Sequence, residues 1–220
     1  MIYSIYPGLK DYTIVLASSS PRRKELLEKI GLEFQVKASN FAEDLNKSNY
    51  SPIDYCQKTA YLKTLDVYDR IKVISSKQSI NVKDITKPLI IIGSDTVILK
   101  DDKILEKPKD KSNALTMLTS LSGSTHQVIT CLCLIVREDS EFEEIKEYQK
   151  INKTEVNFDC IDEKEITAYI NTEDPLDKAG GYGIQGPASI FIKEIKGDYY
   201  GVMGFPLNTF YTMLKEVFKK

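Results

Sequence analysis

The sequence predicts a layered α/β domain, and three observations support this fold class. The chain has 220 residues, a length that suits one large domain and buries about 70–75% of its unfolded surface. Short apolar segments rich in β-formers alternate along it with segments of helical period. No internal repeat or low-complexity tract interrupts the alternation. We therefore expect one domain in which helices pack in layers on a sheet.

The first half of the chain is predicted to begin with a buried strand and a helix. Residues 13–17 are apolar and rich in β-formers, and the helix that starts at Pro21 ends at Gly31. Three serines before Pro21 offer hydroxyls that could cap this helix. Residues 34–38 resemble a second strand, and a longer helical period covers residues 52–74.

The second half is predicted to hold the centre of the sheet. Residues 89–92 form a buried strand that we expect to end at the polar sequence Gly93-Ser94-Asp95-Thr96. A hairpin over residues 97–104 follows. The remaining predicted elements are a helix at 112–121, strands at 127–136 and 155–158, and helices at 162–170 and 206–218.

Two segments add to this pattern. Residues 1–12 form an N-terminal extension, and residues 75–87 form a polar insert without a clear period. We interpret the insert as a surface loop. Both belong to the single domain that we expect over residues 1–220.

Composition excludes several classes of function. The 30 Lys and Arg residues and the 32 Asp and Glu residues give a net charge of −2, whereas a protein that coats nucleic acid needs a large positive excess. The single His, His126, excludes multi-His metal centres, and its place at the start of a strand favours a structural role. The four Cys form no C-x-x-C pair, and Cys131 and Cys133 are predicted to be buried thiols on one strand face.

The same features predict a cytoplasmic protein that does not enter a membrane. The N-terminal residues lack the pattern of a secretory signal. The longest apolar runs have about six residues, far fewer than a membrane-spanning helix needs.

A phosphate-binding loop is indicated where the first strand meets its helix. Backbone N–H groups at a helix start attract anions, and Ser18, Ser20, Arg22 and Arg23 add hydroxyl and guanidinium donors. The alternative is an ordinary helix start with solvated arginines. Because the chain has few other arginines, the pattern favours phosphate.

Two short motifs carry acidic side chains. Asp95 follows the buried strand 89–92, where a carboxylate commonly serves as a metal ligand or a general base. In the sequence E-K-P, Glu106 and Lys107 could set an acid near Mg²⁺ and a cation near phosphate. Taken alone, the Asp95 motif favours a turn-forming aspartate that caps the next element, and the isolated E-K-P tripeptide is weak evidence.

A glycine-rich segment runs from Asp177 to Gly186. Its glycines permit tight turns and a close approach of the backbone to a ligand. Gln185 supplies an amide that can both donate to and accept from the edge of a base. A flexible glycine loop would explain the glycines but not the accompanying Asp177, Lys178 and Gln185.

Together these segments resemble the Maf family of nucleoside triphosphate pyrophosphatases. The resemblance extends from about Ile14 to Leu214. In chain order, the matching motifs are L-A-S-S-S-P-R-R-K-E-L-L, G-S-D-T-V, L-E-K-P, L-S-G-x-T-H-x-V-x-T, D-P-L-D-K-A-G-G-Y-G-I-Q-G and G-F-P-L.

The resemblance implies hydrolysis between the α- and β-phosphates of a nucleoside triphosphate, with Mg²⁺ or Mn²⁺ as the cofactor. It implies a mixed, twisted central sheet flanked by helices, with a substrate cleft between two lobes, as in inosine-triphosphate pyrophosphatases. It makes Asp95 the catalytic proton acceptor. The substrate-binding residues it implies are Ser18, Ser20, Arg22, Arg23, Lys63, Thr96, Lys107 and Gln185, and the metal-binding residues are Glu43, Asp95 and Glu106.

The sequence A-G-x-Y-G-I-Q-G resembles the branch of the family that prefers dTTP and UTP, and modified pyrimidine triphosphates stay open as substrates. A non-enzymatic, nucleotide-binding regulator of cell division is the alternative from another class. An inosine-triphosphate pyrophosphatase is a further alternative, which the S-P-R-R loop disfavours. The choice between a monomer and a homodimer stays open.

Overall fold

The computed structural model describes residues 2–76, 87–138 and 144–219. Within these ranges, helices flank both faces of a seven-stranded mixed sheet. The strands are β1 (Thr13–Leu16), β2 (Gln35–Val36), β3 (Leu89–Lys100), β4 (Lys103–Leu105), β5 (Thr125–Arg137), β6 (Lys146–Phe158) and β7 (Ile192–Lys196). The helices are α1 (Ile2–Ile5), α2 (Pro21–Lys29), α3 (Pro52–Ser76), α4 (Lys111–Leu121), α5 (Glu163–Ile170), α6 (Tyr199–Val202) and α7 (Leu207–Val217). The expected fold class is confirmed.

The sheet mixes parallel and antiparallel pairs in the order β2-β1-β3-β5-β6-β7, and β4 also pairs with β3. Strand β1 runs parallel to β2 and β3, while the pairs from β3 to β7 are antiparallel. The long strands β3, β5 and β6 lie in the middle of the sheet. None of the described helices combines the length and the apolar character that crossing a membrane requires.

Strand β3 has a continuous partner strand on one flank and an interrupted pairing on the other. This interruption creates the cleft described below. On one flank it pairs with β5 from Leu89 to Leu99. On the other flank, β1 pairs with residues 89–92 and β4 with residues 98–100. Residues 93–97 therefore have no strand partner on that flank within the described part of the chain.

The expectation that this strand ends before Gly93 is wrong. The sequence Gly93-Ser94-Asp95-Thr96 contains the residue types of a turn, but it continues β3 in extended form. The reason is the pairing with β5, which supplies ladder hydrogen bonds along one whole flank. On the other flank of the strand, Asp95 and Thr96 line the cleft.

Alternation along the strands divides the apolar core between the two faces of the sheet. Helix α3 covers one face, where Cys131 and Cys133 are fully buried, as predicted. Helices α1, α2 and α7 cover one end of the opposite face, with Ile90 and Ile92 beneath them. Helices α4 and α5 cover the other end of that face, around Ile98.

A polar band separates these two clusters on the shared face. It consists of Ser94 and Thr96 from β3 and Thr130 from β5, and Thr96 lies directly opposite Thr130 in the register. Ser94 and Thr130 are fully buried. Since buried hydroxyls need hydrogen-bond partners, this band must bond to something above the sheet.

Several elements begin or end at residues other than those that the sequence predicts. Strand β6 begins at Lys146 instead of Glu155, and β7 was not predicted, because charged residues fill the exposed positions of both strands. The N-terminal extension is part of the fold, since Ile2 and Leu9 are buried in the core. The start of the predicted insert belongs to α3, which extends to Ser76, and residues 77–86 of the insert lie outside the described residues.

Candidate active site

A cleft of about 610 Å³ opens at the uncovered flank of β3. Its walls come from the loop between β1 and α2, from α3, from the E-K-P turn, from the glycine-rich segment and from residues 202–204. Every site residue that the sequence predicts lies in its lining: Ser18, Ser20, Arg22, Arg23, Glu43, Lys63, Asp95, Thr96, Glu106, Lys107 and Gln185. Because residues 93–97 are uncovered on this flank, side chains from both faces of the sheet reach the same cleft.

Arg23 is held in the cleft by neutral acceptors. Its Nε donates to the Gly204 carbonyl at 3.0 Å, Nη1 to Ser18 Oγ at 3.2 Å and Nη2 to Thr96 Oγ1 at 3.2 Å. Among the described residues, no carboxylate forms an ion pair with it. Burial lowers the pKa of Arg23, and nearby Asp95 opposes that shift. The guanidinium is therefore a fixed positive charge that lacks a direct counter-ion.

Lys63 shows the opposite arrangement. Its Nζ lies 2.8 Å from Asp95 Oδ1 and 2.6 Å from Glu43 Oε2. Burial raises the pKa of Asp95, while Lys63 and then Arg23 partly reverse the shift. The other oxygen of Asp95, Oδ2, has no hydrogen-bond partner in the described part of the chain. A carboxylate with a raised pKa and one available oxygen suits general-base chemistry.

Glu106 is fixed by two neighbours. Tyr55, which is buried on α3, donates its hydroxyl to Glu106 Oε1 at 2.7 Å. Lys47 forms an ion pair with Oε2 of the same carboxylate. Lys107, the next residue, is exposed and forms no ion pair with any described residue. In the E-K-P turn, Glu106 is therefore held by Tyr55 and Lys47, whereas Lys107 has no ion-pair partner among the described residues.

The glycine-rich segment brings Gln185 to the mouth of the cleft, where its amide is exposed. Lys178 stiffens the segment by contacting Asp174 Oδ1 at 3.0 Å and Asp177 Oδ1 at 2.6 Å. Asp177 also reaches Arg22 Nη1 across the cleft at 3.5 Å. Because the contact between Arg22 and Asp177 is long, an anion that binds the guanidinium more strongly can displace Asp177 from Arg22.

The start of α2 differs from the expected capped helix. Ser20 holds the N-cap position, but its side chain makes no capping hydrogen bond. The Ser18 hydroxyl instead accepts from the Ser20 N–H at 3.2 Å and from Arg23. The first turn of α2 consequently has no side-chain cap that would compete with an anion.

His126 is buried, and its Nε2 lies 2.7 Å from the hydroxyl of Tyr182. Burial lowers the pKa of His126 to about 4. The predicted structural role is confirmed, because the ring anchors the segment that carries Gln185. Tyr182 and Gly204 also line the cleft, and Ser94 and Thr130 lie beneath it; all four belong to motifs of the family resemblance, but the sequence assigned them no role.

The three carboxylates that the family resemblance assigns to a metal do not converge. No group of three or more His, Cys, Asp or Glu side chains in the described residues is placed to share an ion. Glu43 and Asp95 face one ammonium, whereas Glu106 is held by Tyr55 and Lys47. However, Mg²⁺ usually binds proteins through one or two carboxylates together with substrate phosphates and water. Glu43 and Asp95, which already share one positive charge, fit that requirement.

Known proteins are similar to this chain over most of its length. The family model described as "Maf-like protein" matches residues 13–217. A dTTP/UTP pyrophosphatase from Clostridium perfringens strain 13 is 42% identical over 203 residues, which cover 92% of this chain and 95% of the relative. A dTTP/UTP pyrophosphatase from Bacillus pumilus is 41% identical, with 88% and 90% covered. The solved structure of the Staphylococcus aureus Ham1 protein is 13% identical, with a TM-score of 0.37 and 93% and 99% covered. The family match includes every residue that lines the cleft.

Proposed function

The chain belongs to the Maf-like protein family, and from this premise we propose that it is a nucleoside triphosphate pyrophosphatase that acts on dTTP and UTP. The products are the nucleoside monophosphate and pyrophosphate. The observation that carries the proposal is the pairing of two charges in one cleft: Arg23, without a counter-ion, and Asp95, a buried carboxylate with a raised pKa. Arg23 is suited to binding the triphosphate group, and Asp95 is suited to activating water.

Phosphate binding is assigned to the positive groups around the cleft. Arg22, Arg23, Lys107 and the uncapped first turn of α2 would neutralise the triphosphate. Ser18 and Ser20 contribute hydroxyls in the same loop. The long contact between Arg22 and Asp177 would give way to phosphate oxygens, which are stronger partners for a guanidinium.

Hydrolysis is assigned to Asp95. Its Oδ2 accepts a proton from water as the water oxygen attacks the α-phosphorus, and the bond between that phosphorus and the bridging oxygen breaks to release pyrophosphate. Lys63 holds Oδ1 and thereby orients the carboxylate. Residues Asp95 and Glu43, with Glu106 as a candidate for an outer contact, would hold Mg²⁺ or Mn²⁺. When bound, such an ion supplies charge neutralisation and a more acidic water.

Base selection is assigned to Gln185, whose amide can pair with the carbonyl and imino edge of a pyrimidine. Thr96, which belongs to the polar band and accepts a hydrogen bond from Arg23, is assigned to substrate choice together with Arg23. The absence of a large positive charge excess supports a mononucleotide rather than a nucleic acid as the partner. The proposal sets the reaction in the cytoplasm, where nucleoside triphosphates are available.

A panel of triphosphates tests the proposal. The full chain is incubated with Mg²⁺ or Mn²⁺ and with dTTP, UTP, modified pyrimidine triphosphates, dGTP or ITP, and pyrophosphate and orthophosphate are measured separately. We expect pyrophosphate release that is fastest with dTTP or UTP. Turnover confined to purine triphosphates would contradict the pyrimidine assignment, and release of orthophosphate would contradict cleavage at the α-phosphate.

A further inference from the structure

We propose that Thr130 is a positioning residue that fixes the direction of Arg23 toward the triphosphate, acting through Thr96. The inference rests on the proposed function and extends it to a buried residue that does not line the cleft. Thr130 lies on β5, in the polar band between the two apolar clusters, and is fully buried.

The hydroxyls form a continuous chain from the cleft into the protein. Arg23 Nη2 lies 3.2 Å from Thr96 Oγ1, which lies 3.0 Å from Thr130 Oγ1. Thr130 Oγ1 in turn lies 2.9 Å from the carbonyl oxygen of Gly201. The distances alone leave the donor between the two hydroxyls undetermined.

The two ends of the chain determine that donor. A guanidinium can only donate a hydrogen bond, and a backbone carbonyl can only accept one. Because the Gly201 oxygen carries no hydrogen, Thr130 must donate its single hydroxyl hydrogen to it. Thr130 can then only accept from Thr96, and Thr96 can only accept from Arg23.

This order presents Thr96 to Arg23 as an acceptor. The lone pair of Thr96, together with Ser18 Oγ and the Gly204 carbonyl, occupies three of the five guanidinium N–H groups. The two that remain are the donors available to phosphate oxygens. Without Thr130, the Thr96 hydroxyl would be free to rotate, and its hydrogen could turn toward the guanidinium.

The two backbone carbonyls that accept these hydrogen bonds belong to glycines, Gly201 and Gly204, and the packing around both leaves little room for a side chain. A Cβ on Gly201 would lie 2.2 Å from Asn152 Oδ1. Gly204 has φ +97°, and a Cβ there would lie 3.2 Å from Thr96 Oγ1. The chain of hydroxyls therefore ends on a closely packed support, which explains how one buried residue can orient a distant cation.

Isosteric substitution tests the inference. Thr130→Val removes the hydroxyl at nearly constant volume, and Thr130→Ser keeps it. We expect Thr130→Val to raise the KM for the preferred triphosphate and the inhibition constant of pyrophosphate about tenfold, with a smaller change in kcat. Thr130→Ser should stay close to the wild type. Thr64→Val is the matched control, because Thr64 is equally buried but donates to the carbonyl of its own helix, at Ala60.

A double-mutant cycle separates positioning from a general structural effect. In an Arg23→Lys background the chain has no guanidinium to orient, so Thr130→Val should add little. Additive losses in that background, or a wild-type KM in Thr130→Val, would overturn the inference. If the valine variant does not fold, Thr130→Ala takes its place in the cycle. Failure of the proposed function gives a different result, since the wild type would then release no pyrophosphate.

Discussion

Arg23 and Lys63 face the same cleft, yet the protein surrounds them in opposite ways. Arg23 is held by hydroxyl and carbonyl oxygens and makes no direct ion pair with a described residue, whereas Lys63 contacts the carboxylates of Glu43 and Asp95. A cation fixed by neutral dipoles retains its attraction for an anion. A cation shared by two acids instead holds those acids in place. Under the proposed function, the Arg23 side of the cleft would bind the phosphates and the Lys63 side would activate water.

The largest effect should follow from removing the acid on the Lys63 side. Asp95→Asn keeps the shape of the side chain but leaves no base, so we expect kcat for pyrophosphate release to fall about 10³-fold. Glu43 still pairs with Lys63, so the variant should fold, which circular dichroism would show. Asp54→Asn, on an exposed carboxylate at the start of α3, is the control and should be unaffected. Wild-type turnover by Asp95→Asn would refute the assignment of the base.

A smaller loss should follow from exchanging the cation on the other side. The lysine in Arg23→Lys keeps the charge, but its ammonium lacks the planar arrangement of donors that lets a guanidinium reach three acceptors. We therefore expect kcat/KM to fall about 100-fold. Lys24→Arg, at an exposed site on the same helix, serves as the matched control. An Arg23→Lys enzyme with unchanged KM and kcat would mean that the geometry of the guanidinium has no part in binding.

The pH dependence should distinguish the two acids that share Lys63. Burial raises the pKa of Asp95, so activity should fall as the pH drops through a value above that of an ordinary aspartate. Lys63 lowers this pKa and Glu43 raises it. Lys63→Met should therefore move the acidic limb of the kcat/KM profile to higher pH, and Glu43→Gln should move it to lower pH. Shifts of the same sign in both variants would contradict the arrangement.

The sequence predicted which residues line the cleft better than it predicted their place in the fold. The motifs around Arg23, Asp95 and Glu106 were found because each needs special residue types within a few positions. Thr130 is the last residue of the motif L-S-G-x-T-H-x-V-x-T, but the motif gave it no role, since a threonine in an apolar strand is an ordinary core residue. Its role depends on a register partner far away in the chain, Thr96, and on a carbonyl at Gly201.

The strands show the same limit. Asp95 was expected after a strand because glycine, serine and aspartate favour turns. The pairing with β5, which local sequence does not contain, keeps these residues extended. Strand β7 was missed because only Ile192 and Ile195 of its residues are apolar, and both are only partly buried. Helix α2 was predicted correctly because Pro21 and Gly31 mark its ends locally.

The uncovered flank of β3 offers a direct spectroscopic view of ligand binding. The Ile92 carbonyl points toward β1, where it accepts from the Ala17 N–H. Since the backbone groups of neighbouring residues in a strand point to opposite flanks, the N–H of Thr96, a residue of the cleft lining, points toward the cleft opening. Hydrogen–deuterium exchange at the Thr96 amide, compared with the amide of Asp95, which faces β5, can therefore report occupancy of the cleft without turnover.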